Sequence, residues 1–321
     1  MNDFTKEFQK AYKLINESHY ILIVTHINPD ADTLSSALAL SNYMYRHNIN
    51  HKVYNSSKYL PGNLDFLPRF DKITDTVPKS YDLIIYVDCG DKRRVGFEFN
   101  NTCKVINIDH HQSNDNYGDI NIVDSNKGST AELLFGFFRD NEIKITKEIA
   151  TCLYIGIYDD SIAFTTPRTN SKTFEVINTL VTTNIDIPKI LESYLMRETL
   201  AKYRLLPKIL QTLELYFEGD IAIIYQKQEW LDITGATFNE CDEVVNEILK
   251  IAIVKIAIYL REDNNNIRIS LRGKDDITID LSKVANRFNG GGHKNAAGAT
   301  LSGMSIQQAT TRLLDTFKNY I

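Results

Sequence analysis

Cysteine is scarce in this chain, and long apolar runs are missing from it. The four cysteines lie far apart with no CxxC spacing, which excludes a zinc ribbon or a disulfide framework and predicts buried free thiols at Cys89, Cys103, Cys152 and Cys241. No apolar run approaches the roughly 18 residues that a membrane span requires. Residues 1–4 show no charged leader followed by an apolar segment. We therefore expect a cytoplasmic protein with no membrane partner.

An excess of basic residues is also absent. Lysine and arginine number 36 against 41 aspartates and glutamates, so the formal net charge is −5. Binding to long duplex DNA depends on many cations that neutralise phosphates, and this balance argues against it. A nucleic-acid partner should be short and held locally. With 43% apolar residues and no low-complexity tract, the chain can bury a large core and is expected to form two domains.

The order of predicted elements indicates an α/β protein. Strand patterns at 20–25, 51–54, 83–87 and 105–108, mostly apolar apart from the short run at 51–54, alternate with helical patterns at 33–46, 129–139, 147–158 and 170–181. This alternation is typical of a parallel sheet. Beyond residue 185 a helical passage precedes new strands at 221–225, 254–259 and 267–271. We predict an N-terminal parallel-sheet domain (1–185), a helical linker (186–216) and a smaller α+β C-terminal domain (217–321).

The first strand runs directly into a polar segment, Thr25-His-Ile-Asn-Pro-Asp-Ala-Asp32, and a helix follows at once. Open α/β sheets place ligands at the carboxyl edge of their strands. His26, Asp30 and Asp32 could therefore converge on a cation through imidazole and carboxylate ligands. Helix capping by Asp30 or Asp32 explains the same residues equally well, because aspartate is common at helix N-termini.

Other strands deliver similar side chains to the same edge. The strand at 83–87 ends in Asp88, and the strand at 105–108 ends in Asp109-His110-His111. Asp160 follows the helix predicted at 147–158. Carboxylates gathered at one edge repel one another, and divalent cations are the usual remedy. The combined pattern therefore favours a metal site.

These motifs resemble the DHH phosphoesterase family, named for the triplet at 109–111. The resemblance covers nearly the whole chain in order: the 25–32 segment, Asp88, the triplet, the Asp160 segment and a GGGH motif at Gly290–His293. It implies a centre of two divalent cations, with Mn²⁺ favoured by mixed imidazole and carboxylate ligands. The implied ligands of the first cation are His26, Asp30 and Asp88, and those of the second are Asp32, Asp88, His110 and Asp160.

The resemblance also implies catalytic roles and two departures from the family pattern. Asp109 would orient an imidazole, and His111 would contact the scissile phosphate during attack by a metal-activated water. Ala31 and Ile162 stand where the family usually has glycine, which we expect to alter backbone packing without loss of metal. Either Asp159 or Asp160 could be the metal ligand in this segment, and the spacing from Gly156 to Phe164 favours Asp160.

The C-terminal motif carries the predicted substrate site. Glycines at 290, 291 and 292 let backbone NH groups approach an anion, and His293 adds a donor. Read alone, this glycine cluster indicates a flexible loop. Arg272 is our candidate for a bidentate phosphate clamp, against the alternative of an exposed strand arginine. Ser129 and Glu132 predict a capping box at a helix start, with substrate contact as the alternative reading.

Within the family, the two-domain length and the GGGH ending are similar to enzymes that degrade nanoRNA and remove the 3′-phosphate of pAp (3′-phosphoadenosine 5′-phosphate). We therefore expect short RNA oligonucleotides and small nucleotides as partners. A linear or cyclic dinucleotide phosphodiesterase acting on pApA, pGpG or cyclic di-AMP is the alternative within the class. A non-catalytic nucleotide-binding module is the alternative outside it. The sequence leaves base preference, cleavage polarity and oligomeric state open, a homodimer included.

Overall fold

Six parallel strands form the sheet of the N-terminal part of the chain. In the computed structural model of the protein, which describes residues 4–99, 103–318 and 320, these strands lie in the order β3-β2-β1-β4-β5-β6. Their bounds are β1 (Ile21–Val24), β2 (His51–Tyr54), β3 (Ile73–Thr74), β4 (Leu83–Val87), β5 (Lys104–Asp109) and β6 (Ile120–Val123). All residues of β1 and β4 are buried, as expected of apolar central strands covered on both faces. The strand order reverses between β1 and β4, which opens a crevice at their carboxyl ends.

Six helices accompany this sheet: α1 (Thr5–Glu17), α2 (Ala31–Arg46), α3 (Thr130–Asp140), α4 (Lys147–Asp160), α5 (Ser171–Val181) and α6 (Ile187–Leu195). Short 3-10 turns lie at Gly62–Leu64, Phe70–Lys72 and Lys92–Val95. Every residue of α2 from Ala31 to Met44 is buried. Helix α4 crosses α2 at Gly156, where a Cβ atom would lie 2.5 Å from Ser35 Oγ. The absence of a side chain at this position therefore permits the close approach of the two helices.

The C-terminal part contains a mixed six-stranded sheet in the order β11-β12-β10-β9-β8-β7. Its elements are α7 (Leu200–Leu210), β7 (Glu214–Tyr216), β8 (Ile221–Gln226), α8 (Gln228–Thr234), α9 (Val244–Leu249), β9 (Ile256–Asp263), β10 (Asn266–Gly273), α10 (Leu281–Asn286), β11 (Gly291–His293), β12 (Ala296–Ser302) and α11 (Ile306–Phe317), with a 3-10 turn at Phe217–Gly219. Strands β8 and β9 are parallel, and the other neighbours are antiparallel. The predicted fold class is confirmed: a parallel α/β sheet precedes a second, mixed sheet.

Contacts between Cα atoms divide the chain into two units, residues 1–197 and 198–321. The division falls inside the segment 186–216 that was predicted as a helical linker. That segment is not helical throughout, since it contains α6, α7 and the edge strand β7. Residues 1–3, considered above for a leader segment, lie outside the described part of the chain. Among the described residues, no helix combines the length and apolar character of a membrane span.

Several local predictions need correction. Helix α2 begins at Ala31 rather than Thr33, and α4 continues to Asp160 rather than ending at Tyr158. The glycine-rich segment forms the edge strand β11, whereas its glycines read alone would indicate a flexible loop. Cys103 is half-buried, whereas the other three free thiols are buried as predicted. These differences arise where tertiary contacts extend an element beyond its local sequence signal.

The capping box predicted at Ser129 is only half formed. Ser129 Oγ accepts a hydrogen bond from the backbone N–H of Glu132 at 3.1 Å, as a helix cap does. The Glu132 carboxylate does not return to the backbone of Ser129. It instead accepts a hydrogen bond from Lys127 Nζ at 2.8 Å. The buried ion pair replaces the expected reciprocal contact because a lysine lies within reach in the loop before α3.

Candidate metal centre and active site

The candidate site lies where β1 and β4 end side by side. Residues Thr25 and His26 follow β1, and Asp88 follows β4. Asp88 is 1% exposed and adopts a left-handed backbone conformation with φ of 54°. Aspartate tolerates this conformation better than most residues, although it remains uncommon. The turn thus sends a buried carboxylate into the crevice at the reversal of the strand order.

Asp88 lies between two groups of candidate ligands. Its Oδ2 lies 3.9 Å from His26 Nε2, and its Oδ1 lies 3.6 Å from His110 Nε2. His26, Asp30 and Asp88 form one group of potential metal ligands, and Asp32, His110 and Asp160 form another, with ligand atoms within 4.8 Å of one another in each group. The structure therefore brings together all six residues predicted as metal ligands: His26, Asp30, Asp32, Asp88, His110 and Asp160.

Asp30 is placed both to cap a helix and to bind a cation, the two roles that the sequence left open. Its Oδ1 accepts a hydrogen bond from the backbone N–H of Thr33 at 2.9 Å and so caps α2. Its Oδ2 lies 3.9 Å from His26 Nε2 on the site side. Capping therefore uses one carboxylate oxygen and leaves the other available to a cation.

Asp32 is buried against the start of α3. Its two oxygens accept hydrogen bonds from the backbone N–H groups of Thr130 (2.7 Å) and Ala131 (3.0 Å). Burial raises the pKa of Asp32 well above its usual value, and the charges of Asp88 and Asp160 add to the rise, although His110 opposes them. A further positive charge at this point would stabilise the ionised carboxylate. The electrostatics of Asp32 thus fit a divalent cation.

The imidazoles present suitable nitrogens to the cluster. His26 Nδ1 lies 2.8 Å from the carbonyl of Ile27 and His110 Nδ1 lies 3.4 Å from that of Lys127. A carbonyl only accepts, so the proton of each neutral ring is assigned to Nδ1 and Nε2 is left as a ligand atom. Burial lowers the pKa of His110, but the hydrogen bond to Asp160 and the charges of Asp32, Asp160 and Asp88 outweigh burial and raise this pKa, so a cation at Nε2 would replace a proton. The donor set is that of a divalent metal site.

A separate hydrogen-bonded set surrounds Asp109, which is fully buried. Its Oδ1 accepts hydrogen bonds from His111 Nδ1 at 2.7 Å and from the backbone N–H of His110 at 2.8 Å. Its Oδ2 accepts from Asn114. His111 Nδ1 also lies 3.6 Å from Asp88 Oδ1, but its shorter bond to Asp109 occupies that nitrogen. Asp109 therefore orients the ring of His111, whose side chain is 35% exposed.

The end of α4 resolves which of two adjacent aspartates faces the cluster. Asp160 Oδ2 lies 3.0 Å from His110 Nε2, whereas Asp159 accepts a hydrogen bond from the hydroxyl of Tyr194. The three residues 162–164 that follow all have positive φ angles. Ile162, at the position where the related family usually has glycine, is 69% exposed and has φ of 49°. The chain adopts a glycine-like conformation there despite the side chain.

Sequence reasoning missed the hydroxyl groups that contact Asp88. Thr33 Oγ1 lies 2.6 Å from Asp88 Oδ2, and Thr130 Oγ1 lies 2.9 Å from Asp88 Oδ1. Ser36 Oγ similarly donates to Asp32 Oδ1 at 3.2 Å. Thr33 and Ser36 follow Asp32 at the start of a helix, and this position was the available signal. The contacts of Thr33 and Thr130 to Asp88 depend on a tertiary fold that joins distant segments.

The C-terminal candidates share one face of the second sheet. His293 pairs with Ala296 across β11 and β12, and Ala296 pairs with Arg272 across β12 and β10. Directly opposed residues project to the same face, so His293 and Arg272 flank a small side chain. His293 is exposed, and the described hydrogen bond of the Arg272 guanidinium goes to the carbonyl of Leu271 at 3.1 Å. Both residues therefore lie on one face of the C-terminal sheet.

The glycines of the motif have a packing role of their own. A Cβ atom on Gly290 would lie 2.1 Å from the carbonyl oxygen of Gly298, and one on Gly292 would lie 2.4 Å from that of Ala296. Gly292 also has φ of 143°, which side chains rarely permit. A Cβ on Gly291 would be unhindered, with its nearest neighbour at 4.0 Å. Strand pairing thus requires two of the three glycines.

Comparisons with known proteins agree with these two parts of the chain. Residues 20–157 match "DHH family, N-terminal domain", and residues 223–321 match "DHHA1 domain". A Streptococcus mutans protein, "Probable bifunctional oligoribonuclease and PAP phosphatase NrnA", is 31% identical over 87% of this chain and 88% of its own length. The chain belongs to the DHH family.

Two further proteins resemble the chain over most of its length. The Thermus thermophilus "Bifunctional oligoribonuclease and PAP phosphatase NrnA" is 28% identical over 92% of this chain and 88% of its own. The crystal structure of an exopolyphosphatase-related protein from Bacteroides fragilis has a TM-score of 0.88 at 25% identity, covering 98% of this chain and 96% of the other. DHH proteins are metal-dependent phosphoesterases, and this chain is accordingly a hydrolase of phosphoester bonds.

Proposed function

We propose that this DHH protein is a Mn²⁺-dependent enzyme that hydrolyses RNAs of a few nucleotides and removes the 3′-phosphate of pAp. The observation that carries the proposal is the convergence of six candidate ligands, Asp88 among them, beside the half-buried imidazole of His111. The relatives named for these two activities support the substrate class, because they align with nearly the whole chain. The net charge of −5 agrees with a short substrate held at a local site.

The residues of the candidate site have separate roles in the proposed reaction. His26, Asp30 and Asp88 would hold one cation, and Asp32, Asp88, His110 and Asp160 would hold the other. Such a pair supplies an activated water and charge relief for the oxygens of an in-line displacement at phosphorus. His111 binds the scissile phosphate and, in its protonated form, donates a proton toward the leaving oxygen. Asp109 keeps the His111 ring in place and stabilises its charge.

The pH dependence of turnover follows from the contact between His111 and Asp109. The hydrogen bond to Asp109 raises the pKa of His111; burial opposes the rise, and the charge of Asp88 supports it. His111 therefore stays protonated to a higher pH than an ordinary histidine, and kcat/KM falls as the pH rises through this pKa. In Asp109→Asn the pKa of His111 falls toward its usual value. We expect the alkaline limb of the kcat/KM profile to move to lower pH.

A second buried aspartate provides the control for this profile. Asp124 is 5% exposed, and its carboxylate binds Asn126 rather than an imidazole. Asp124→Asn should leave the alkaline limb where it is in the wild type. The folding of Asp109→Asn is checked by circular dichroism. If the variant is folded and its alkaline limb of kcat/KM does not move, a group other than His111 causes that limb, and the proposed role of His111 is wrong.

Substrate recognition is assigned to Arg272, His293 and the backbone of Gly290, Gly291 and Gly292. His293 and Arg272 project from one sheet face, where they can grip a phosphate other than the scissile one. His293→Ala should raise KM about tenfold and leave kcat within about twofold, because a lost charge-assisted hydrogen bond costs about 1.5 kcal/mol or more in binding. Steady-state kinetics with pAp measures both constants. A fall in kcat at unchanged KM would contradict the proposed grip.

The proposed activity is tested by comparing substrates under matched conditions. Purified protein is incubated with pAp, with labelled dinucleotides to pentanucleotides, with cyclic di-AMP and with pyrophosphate, each with Mn²⁺ or with a chelator. We expect Mn²⁺-dependent release of phosphate from pAp and of mononucleotides from the short RNAs. Faster turnover of pApA, pGpG or cyclic di-AMP than of the longer RNAs and pAp would establish a dinucleotide phosphodiesterase instead. Binding without release in every reaction would indicate a non-catalytic module.

A further inference from the structure

The hydroxyl of Thr33 lies among three of the candidate metal ligands. Its Oγ1 is 2.8 Å from His26 Nε2, 2.7 Å from Asp30 Oδ1 and 2.6 Å from Asp88 Oδ2. Thr33 is fully buried on the first turn of α2. The three partners are the residues assigned above to the first cation, and they come from two different strand ends. A single hydroxyl thus contacts the complete ligand group.

One donated proton cannot satisfy all three contacts of the Thr33 hydroxyl. A threonine hydroxyl has one proton to donate. The carboxylates of Asp30 and Asp88 only accept when ionised, and His26 Nε2 also accepts in the tautomer whose Nδ1 donates to the carbonyl of Ile27. Three acceptors therefore surround one donated proton. The remaining contacts place lone pairs against lone pairs, which is unfavourable in a buried site unless a further proton or a cation lies among them.

We propose that Thr33 Oγ1 belongs to the ligand shell of the cation held by His26, Asp30 and Asp88. This inference rests on the metal centre of the proposed function. The hydroxyl donates its proton to one carboxylate and turns a lone pair toward the cation, so it positions the anionic ligands and adds a neutral oxygen. Hydroxyl and carboxylate oxygens suit a hard divalent ion. Thr33 is therefore a positioning residue that sets the affinity of the first cation.

The Thr33 backbone strengthens the same arrangement. Its N–H donates to Asp30 Oδ1, the oxygen that also contacts its hydroxyl. Side chain and backbone of one residue thus fix one carboxylate from two directions. Partners that fix a ligand in this way typically change metal affinity by about 10–100-fold when they are removed. A valine at this position keeps the branched shape of threonine and removes only the hydroxyl chemistry.

Calorimetric titration with Mn²⁺ in the absence of substrate tests the proposal. For Thr33→Val we expect one of two binding events to weaken about 10–100-fold while the other changes little. Thr33→Ser keeps the hydroxyl and should bind like the wild type. Thr151→Val is the matched control, because Thr151 is a buried threonine of α4 that is not among the candidate ligands and their hydroxyl partners. The Mn²⁺ signal in electron paramagnetic resonance gives an independent measure of bound ion.

Each outcome separates this inference from the proposed function. Two unchanged binding events in Thr33→Val overturn the role of Thr33 and leave the metal centre standing. Tighter binding in Thr33→Val overturns it too, because the hydroxyl would then compete with the cation. Absence of Mn²⁺ binding by the wild type overturns both the centre and the inference. If Thr33→Val has a much lower melting temperature than the Thr151→Val control, the titration is repeated with Thr33→Ala. One Mn²⁺ binding event should again weaken, and two unchanged events would again contradict the role of Thr33.

Discussion

Replacing Asp88 by asparagine is expected to reduce turnover on the order of 10³-fold or more while the protein remains folded. Asp88 lies between the two candidate ligand groups, with Oδ2 3.9 Å from His26 Nε2 and Oδ1 3.6 Å from His110 Nε2. A paired metal site contributes several kcal/mol to transition-state stabilisation, and about 1.4 kcal/mol corresponds to a factor of ten in rate. Asparagine tolerates the left-handed backbone at this position, so the substitution removes charge without straining the turn. Initial rates with pAp at saturating Mn²⁺ measure the loss.

The same substitution should have opposite effects on stability with and without metal. Asp88 contributes to the raised pKa of Asp32, so its negative charge destabilises the neighbouring carboxylates when no cation is bound. In chelator, Asp88→Asn should melt no lower than the wild type. With Mn²⁺ the wild type should gain stability and the variant should gain little. Asp91→Asn changes a carboxylate of the next turn that binds Arg93, and it serves as the control. Turnover in Asp88→Asn above a tenth of the wild-type value would contradict the shared role.

Alanine at Gly156 is expected to lower both stability and metal affinity. A Cβ atom there would lie 2.5 Å from Ser35 Oγ, 2.6 Å from Asp32 Oδ1 and 2.8 Å from the Cβ of Ala131. These neighbours are buried, so the crowding costs about 1–3 kcal/mol. Alanine normally stabilises a helix interior by about 1 kcal/mol relative to glycine, and this gain offsets part of the crowding cost. The free energy of unfolding should therefore fall by up to about 2 kcal/mol, and displacement of Asp32 should weaken Mn²⁺ binding about tenfold.

A second helical glycine provides the comparison. A Cβ atom on Gly136 of α3 would meet only the ring edge of Phe8, at 3.2 Å. Gly136→Ala should change metal affinity little, and its effect on stability should be smaller. Urea unfolding and calorimetric titration give the two quantities for both variants. If Gly156→Ala were as stable as the wild type and bound Mn²⁺ equally well, the close crossing of α2 and α4 beside Asp32 would not be a determinant of the site.

The sequence predicted the central sheet well because its signal is local. The bounds of β2 and β4 match the predicted runs, and β1 differs by one residue at each end. Apolar β-branched runs this short have few other stable environments in a chain with alternating helices. The short strands β3, β6, β7 and β11 were not predicted, since runs of two to four residues gain their strand conformation from pairing with a neighbour.

The site was predictable in its charged groups and not in its supporting contacts. Carboxylates and imidazoles at strand ends are visible in the sequence, and a shared edge brings them together. The contacts of Asp32 with the start of α3 join residues about a hundred positions apart, and no local pattern indicates them. The hydroxyl of Thr33 is similarly inconspicuous, because a threonine beside an aspartate at a helix start is ordinary. Positive φ at Ile162 could not be predicted, since the side chain disfavours it.

Anomalous X-ray diffraction from crystals grown with Mn²⁺ tests the metal centre most directly. The account predicts two manganese peaks in each chain on either side of the Asp88 carboxylate, one beside His26 and Asp30 and the other beside Asp32, His110 and Asp160. Manganese bound elsewhere, or no peak at this cluster in crystals of protein that is active with Mn²⁺, would contradict it.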